Sequence, residues 1–337
     1  MKRTTRDASF FIILSVFFVI VFFVSFALGR YSVNVFTSIK ILLSKIFPIT
    51  QTWSASEEVV ILKIRLPRII AAVFIGAALA VSGLVYQGLF QNPMVSPDIL
   101  GSSSGAGFAA ALAILLRLNN FGITMFSFLG GIIAVSIVLL IASRVKGIKL
   151  LSLVLSGIMV SSLSNSLISL VKLVADTDNA LPQITYFLMG SLSSIKSNDL
   201  LFLIPIIIIS LVPLILIRWQ LNVMTQGEEE AESLGINTKK IKYITIICST
   251  LMSAATVAVA GQIGWVGLVI PHLVRMCIGC DYRKTIFASA LMGATFLLLV
   301  DTISRNISAM EIPLGILTSF IGTPFFLYLI IREGRKV

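Results

Sequence analysis

His272, with Cys277 and Cys280 in a C-x-x-C spacing, is the group best suited to metal or redox chemistry in this chain. It offers three ligands at most, whereas a structural zinc site takes four, so ordinary membrane cysteines are the competing reading. Asp301 and Arg305 stand four apart, which puts them on one helix face where they can pair. Such a pair is either structural, at a membrane edge, or functional. Arg65 and Arg68 flank Pro67 three residues apart, and would project from one face of a helix start. No G-x-x-x-x-G-K-[ST] phosphate loop occurs. If ATP and Mg drive this protein, another polypeptide binds them; no catalytic or metal site and no cofactor is assigned here.

The elements that must position these residues are dictated by composition. Hydrophobic residues make up 57% of the 337 and charged residues 12%, with a mean hydropathy of +1.01. A soluble domain carries about twice that charged fraction. The net charge of +11 could suggest a nucleic-acid partner, but the charges sit between apolar runs, where topology and the lipid surface explain them better. Three cysteines give no disulfide framework. The expectation is an all-α polytopic membrane protein, one domain over 1–337, with about ten transmembrane helices and both termini cytoplasmic.

Lys2, Arg3 and Arg6 precede an apolar run from Ser9 to Leu28, which reads as a retained first helix rather than a signal peptide. Residues 30 to 63 form a mixed segment outside the membrane, completing a first section, 1–64. The section 65–217 holds helices from about Arg65, Ile99, Phe121, Leu150 and Leu200. Breaks follow at Gln91-Asn92-Pro93 and before Gly101. The cytoplasmic insert 218–242 follows; Thr225 could cap a helix there, with Glu228 at the third position of a capping box. The section 243–337 holds the remaining helices, near Ile241, Trp265, Thr285 and Glu311. Its first break, from Gly261, leads to Pro271 and His272. A shift of 178 positions matches Ala77, Ala80, Val81, Gly83, Pro93 and Gly101 to like residues, suggesting a weak internal inverted repeat.

The helix from Leu150 is rich in hydroxyls: Ser152, Ser156, Ser161, Ser162, Ser164, Ser166 and Ser169, with Asn165. Hydroxyls can bond back to their own helix, but this number points to a face on a water-filled path. The insert is a solvated charge run or a partner-docking surface.

Several separated motifs carry a resemblance. Arg65-Leu66-Pro67-Arg68, the run Gly76–Gly83, Gln87, Asn92-Pro93, Pro97 and Leu100-Gly101 resemble the opening signature of the FecCD-type permeases. These are the membrane subunits of ABC importers for iron-siderophores, haem and cobalamin. The likeness returns at Gly227–Asn237, Gly261–Arg283 and Asp301–Pro324, although the family usually has histidine where Tyr282 stands. The resemblance implies a homodimer or close heterodimer, two ATPase subunits that bind ATP and Mg, an extracytoplasmic binding protein, and a bacterial or archaeal cytoplasmic membrane. It further implies that Gly227, Glu228, Ala231, Ser233, Leu234, Gly235, Ile236 and Asn237 couple to the ATPase. Gly147, Ile148, Lys149 and Leu150 would form a cytoplasmic gate, with Ser156, Ser162, Asn165 and Ser166 along the path. Arg65, Arg68 and Arg305 would meet glutamates of the binding protein. The residues alone leave two rivals. An ion-coupled carrier would place carboxylates at mid-membrane, and the apolar runs hold almost none; a membrane enzyme would need a better catalytic set.

Overall fold

The computed structural model describes residues 2–29, 31–145, 149–308 and 310–334. Among them every regular element is helical. In order these are α1 (Lys2–Ala27), α2 (Val35–Leu43), α3 (Ala55–Val59), α4 (Leu66–Leu89), α5 (Ser102–Leu115), α6 (Asn120–Arg144), α7 (Lys149–Val174) and α8 (Ala180–Leu188). They continue with α9 (Ser197–Leu216), α10 (Arg218–Met224), α11 (Glu228–Ser233), α12 (Thr238–Ala260), α13 (Val266–Ile278), α14 (Tyr282–Asn306) and α15 (Leu314–Gly334). All ten expected apolar helices are present. Seven helical runs are long and apolar enough to cross a membrane, and 102–115, 266–278 and 314–328 are shorter apolar stretches.

The mixed segment before α4 is more ordered than its composition suggests. Ser54 caps α3 in a capping box with Glu57, and a π-helical stretch, Val60–Arg65, joins α3 to α4 in one run over 55–89. The cause is Pro67. It has no N–H to donate, and its ring crowds the carbonyl four residues back. The wider turn before it, in which the Leu66 N–H reaches the Ile61 carbonyl, relieves that crowding.

Almost every side chain of α4 is buried. It is the central post of the bundle, packed on α12, α13 and α14. Lipid tails are as apolar as leucine, so helices in a membrane associate through close packing rather than water exclusion, and small residues permit it. A Cβ on Gly76 would lie 2.2 Å from the Gly293 carbonyl oxygen of α14. One on Gly83 would lie 1.7 Å from the Gly267 oxygen of α13. The pair α5 and α6 repeats the device with Gly105 against Ala134 and Gly130 against Ala109.

The order of lengths also repeats: α4 to α7 have 24, 14, 25 and 26 residues, and α12 to α15 have 23, 13, 25 and 21. The 178-residue register is not the one the helices follow. It pairs Gly83, inside α4, with Gly261, the C-cap of α12, and Pro93, in a turn, with Pro271, inside α13.

Replacing Gly83 by Leu forces α4 and α13 apart and is expected to yield aggregated protein after detergent extraction. Gly264, with open space around its Cβ position, is expected to accept Ala with an unchanged melting temperature. Size-exclusion profiles of the two variants check this; a monodisperse G83L protein melting like the parent would refute the packing argument.

Candidate functional site

Gln87 organises the first break. Pro271 cannot donate to the carbonyl of Gly267, so that oxygen lacks its intrahelical partner. The Gln87 amide supplies one, donating to the Gly267 and Leu268 oxygens at 3.3 Å and to the Val95 oxygen at 3.2 Å. Arg275 donates to the other end of the same side chain. One buried amide therefore ties α4, α13 and the turn after α4 together. Pro271 and His272 belong to the body of α13, which starts at Val266, so the break itself spans 261–265. In the first break Asn92 accepts the Met94 N–H at 2.9 Å, leaving Pro93 exposed.

The turn then meets α7. Gly101 adopts φ +78°, and a Cβ there would lie 3.1 Å from Ser161 Oγ. A Cβ on Gly157 would lie 2.1 Å from the Ile99 oxygen. Gly157 and Ser161 sit near the middle of the 26-residue α7, so the turn lies at mid-depth. It brings Asp98 with it, half-buried and accepting from the Ser103 hydroxyl. The second break converges on the same place: Gly261 has φ +69°, and Gln262 Nε2 donates to the Ser103 oxygen at 3.1 Å.

Two cavities flank this junction. One of about 750 Å³ lies between Asp98, Ser103, Gln262, Ser319 and Thr323. The other, about 610 Å³, is walled by Ser161, Ser162, Asn165, Ser166 and Ser169 of α7 with Ser96 and Asp98. Asp98 and Ser104 line both. Ser162, Asn165, Ser166 and Ser169 form an exposed polar stripe, and two of its hydroxyls also bond back to their helix, Ser166 to the Ser162 oxygen and Ser169 to the Asn165 oxygen, both at 3.0 Å. The stripe therefore lines a cavity while two of its hydroxyls stay bonded to their own helix. Ser156 departs from the expectation: it is buried and lines neither cavity. Gly147 and Ile148 lie outside the described residues; Leu150 lines a pocket with Glu228 and Glu229 of the insert.

Asp98, Ser104 and Gln262 were missed as site residues. Asp98 lies in a turn between apolar runs, and tertiary packing carries it to the level of the middle of α7.

The three arginines lie together, as expected, at one end of the bundle, but they are not exposed. Arg65, Arg68 and Arg305 have relative exposures of 4%, 5% and 6%. Arg68 pairs with Asp301 at 2.8 Å and with Glu311 at 2.9 Å. Arg305 holds the other Asp301 oxygen at 3.1 Å, as the four-residue spacing requires, and reaches the Ser25 and Leu28 carbonyls. Arg65 donates to the carbonyls of Phe26 and Tyr31. The π-helical turn and the carbonyls at the end of α1 draw these side chains inward.

At the opposite end Asn222 bridges Asp281 and the Tyr282 N–H, both at 2.7 Å. Burial alone would raise the Asp281 carboxyl, but the Arg283 N–H, the Asn222 amide and the charges of Arg283 and Lys284 hold it below the usual range. Tyr282 is buried, its hydroxyl donating to the Leu84 oxygen at 3.1 Å above Gly88. Cys277 and Cys280 are exposed thiols.

The insert folds as a corner of two short helices, α10 and α11, leading into α12. Gly227 is the N-cap of α11 without a side-chain cap, and Thr225 instead closes α10 by donating to the Asn222 oxygen at 2.7 Å. The expected capping box is therefore absent, because α10 runs up to Met224 and Glu228 becomes the first helical residue. Glu228 pairs with Lys242. Ala231 and Ile236 are buried, Asn237 caps α12, and Ser233 bonds to the Glu230 oxygen. Leu234, 64% exposed, is left at the tip beside Gly235.

Among the described residues the chain is a helical bundle with seven runs long and apolar enough to cross a membrane and a cleft at the level of the middle of α7. The model of the FecCD transport family matches residues 17–332, and the chain belongs to that family. It is 38% identical to the molybdate import system permease protein of Haemophilus influenzae over 96% of this chain and 95% of the relative. It is also 38% identical to the hemin transport system permease protein of Yersinia pestis, over 82% and 84% respectively. A solved structure described as an inward-facing metal-chelate type ABC transporter is similar at a TM-score of 0.85 and 35% identity, over 95% of this chain and 97% of that one. The protein is a transport permease, not an enzyme.

Removing one partner of a buried ion pair leaves the other uncompensated. Arg68→Ala, which strands Asp301, is expected to cost about 3–5 kcal/mol, whereas Lys45→Ala, in the exposed pair with Glu58, is expected to leave the melting temperature nearly unchanged. Thermal melting of the purified variants gives the comparison; equal losses would remove the cluster from its structural role.

Proposed function

We propose that this chain is the permease subunit of an ATP-binding cassette importer for a metal chelate. Iron(III)-siderophore is the first candidate, and haem or cobalamin the others. Two copies, or a closely related pair, form the path in a bacterial or archaeal cytoplasmic membrane. The observation that carries this reading is the hydroxyl- and amide-walled cavity along α7, which shares Asp98 and Ser104 with a second, mainly apolar cavity, in a chain whose other long helices expose mainly apolar side chains. A serine and asparagine stripe turned to lipid would be costly; turned to a twin across a two-fold axis it lines a wet path.

ATP hydrolysis falls to two partner subunits, because this chain has no phosphate loop. They dock on the insert, where buried Ala231 and Ile236 hold the corner rigid and Leu234 offers an exposed apolar anchor. Glu228, Ser233, Gly235 and Asn237 shape the same corner, and Leu150, near the expected gate, lies against it. The binding protein docks at the other end. There the Arg65, Arg68 and Arg305 cluster joins α1, α4 and α14, and in this reading it is the scaffold of the docking surface rather than its contact.

One observation favours a second reading. A carboxylate at mid-depth is what an ion-coupled carrier uses. Uptake by proteoliposomes holding the permease, its ATPase and its binding protein separates the two: the importer reading requires ATP inside and survives a protonophore.

Leu234→Glu is expected to leave membrane insertion intact and to cut ATP-dependent uptake by about tenfold or more, the effect of losing a buried interface anchor. Uptake and ATPase co-purification at parental levels would remove the insert from coupling.

A further inference from the structure

Asp98 is the one charged side chain lining either cavity, among the described residues. Its neighbours there are serines, an asparagine, a glutamine, a threonine and apolar groups, none of which carries a compensating cation. The Ser103 hydroxyl donates to it, and the side chain stays half-buried with a face to the open volume. Its position is built by packing: Gly101 and Gly157 seat the turn against α7, and Gln87 holds it from behind. When ionised, a carboxylate between low-dielectric walls projects its field into the space it faces far more strongly than it would in bulk water. Asp98 and Ser104 stand in the walls of both cavities.

We propose that Asp98 is a specificity-determining residue that sorts cargo by charge, favouring cationic and neutral chelates and retarding anionic ones. The inference rests on the importer reading, because it assumes that the two cavities are the path. It makes an oxyanion or a tricatecholate-type ferric anion a poor cargo for this chain, and a ferric hydroxamate with a free ammonium group a good one.

The field can be measured without knowing the cargo. In a full-length protein with Cys248, Cys277 and Cys280 replaced, a cysteine is placed at Ser162, which lines the second cavity with Asp98. Its rates with a cationic ammonium and an anionic sulfonate methanethiosulfonate reagent are compared at low salt. With Asp98 present the cationic reagent is expected to react faster. Asp98→Asn should lower the cation-to-anion ratio by at least about fivefold, Asp98→Glu should preserve it, and high salt should compress it. A cysteine at exposed Ser56, near the other end, should show one ratio in all three backgrounds. The second arm is uptake by the reconstituted complex of a cationic ferric trihydroxamate against a ferric tricatecholate anion, where D98N should raise the anion's relative rate. An unchanged reagent ratio in a well-folded D98N protein overturns the proposal, as does a cysteine at 162 that reacts with neither reagent. A shifted reagent ratio with unchanged chelate selectivity overturns the sorting role. A shifted ratio with no chelate taken up by any variant overturns the importer reading instead.

Discussion

The contact on which the rest depends is the near-touching of backbones where Gly83 meets Gly267 and Gly76 meets Gly293. Without water to drive helices together, the bundle gains its cohesion from dispersion contacts and satisfied polar groups, and both improve steeply as axes approach. The close approach has a second effect. It puts Gln87 within reach of the carbonyl that Pro271 leaves free, so the sites of closest packing and of broken hydrogen bonding are one neighbourhood. A proline inside a membrane helix is tolerated when a neighbour supplies the missing donor, and here the neighbour also anchors the turn that carries Asp98.

Polar chemistry is distributed by depth. One end holds a buried ionic cluster, the middle a carboxylate among hydroxyls and amides, and the opposite end a bridge between Asn222, Asp281 and Tyr282. The middle group lines two cavities. The two end clusters are satisfied inside the chain, so they stiffen the bundle where soluble partners would push on it. The corner at Leu234 follows the same logic, with its apolar residues buried except at the tip.

The helices were legible because each is an apolar run punctuated by charge, glycine or proline, and membrane thickness sets the length of such runs. The hydroxyl stripe was legible too, since four of its members recur at helical spacing on one side. The arginines were recognised as a group, but their side chains turned inward. Asp301 is 233 residues from Arg68, and the carbonyls that hold Arg65 belong to α1. No local pattern reports such partners. Asp98 was hidden for a related reason: in sequence it is a turn residue, and only the Gly157 and Gly101 contacts with α7 reveal its depth. The repeat was sensed at the wrong offset because glycine and alanine coincidences are common in chains this rich in small residues, whereas helix lengths follow the true order.

In the importer reading, the stripe on α7 faces water in the membrane-embedded protein. Spin labels placed singly from 158 to 171, in liposomes, report contact with a water-soluble nickel chelate and with lipid-dissolved oxygen. The account predicts that positions 162, 165, 166 and 169 respond to the nickel chelate while exposed 163 and 170 respond to oxygen. Oxygen dominance at all six positions would place the stripe in lipid and contradict it.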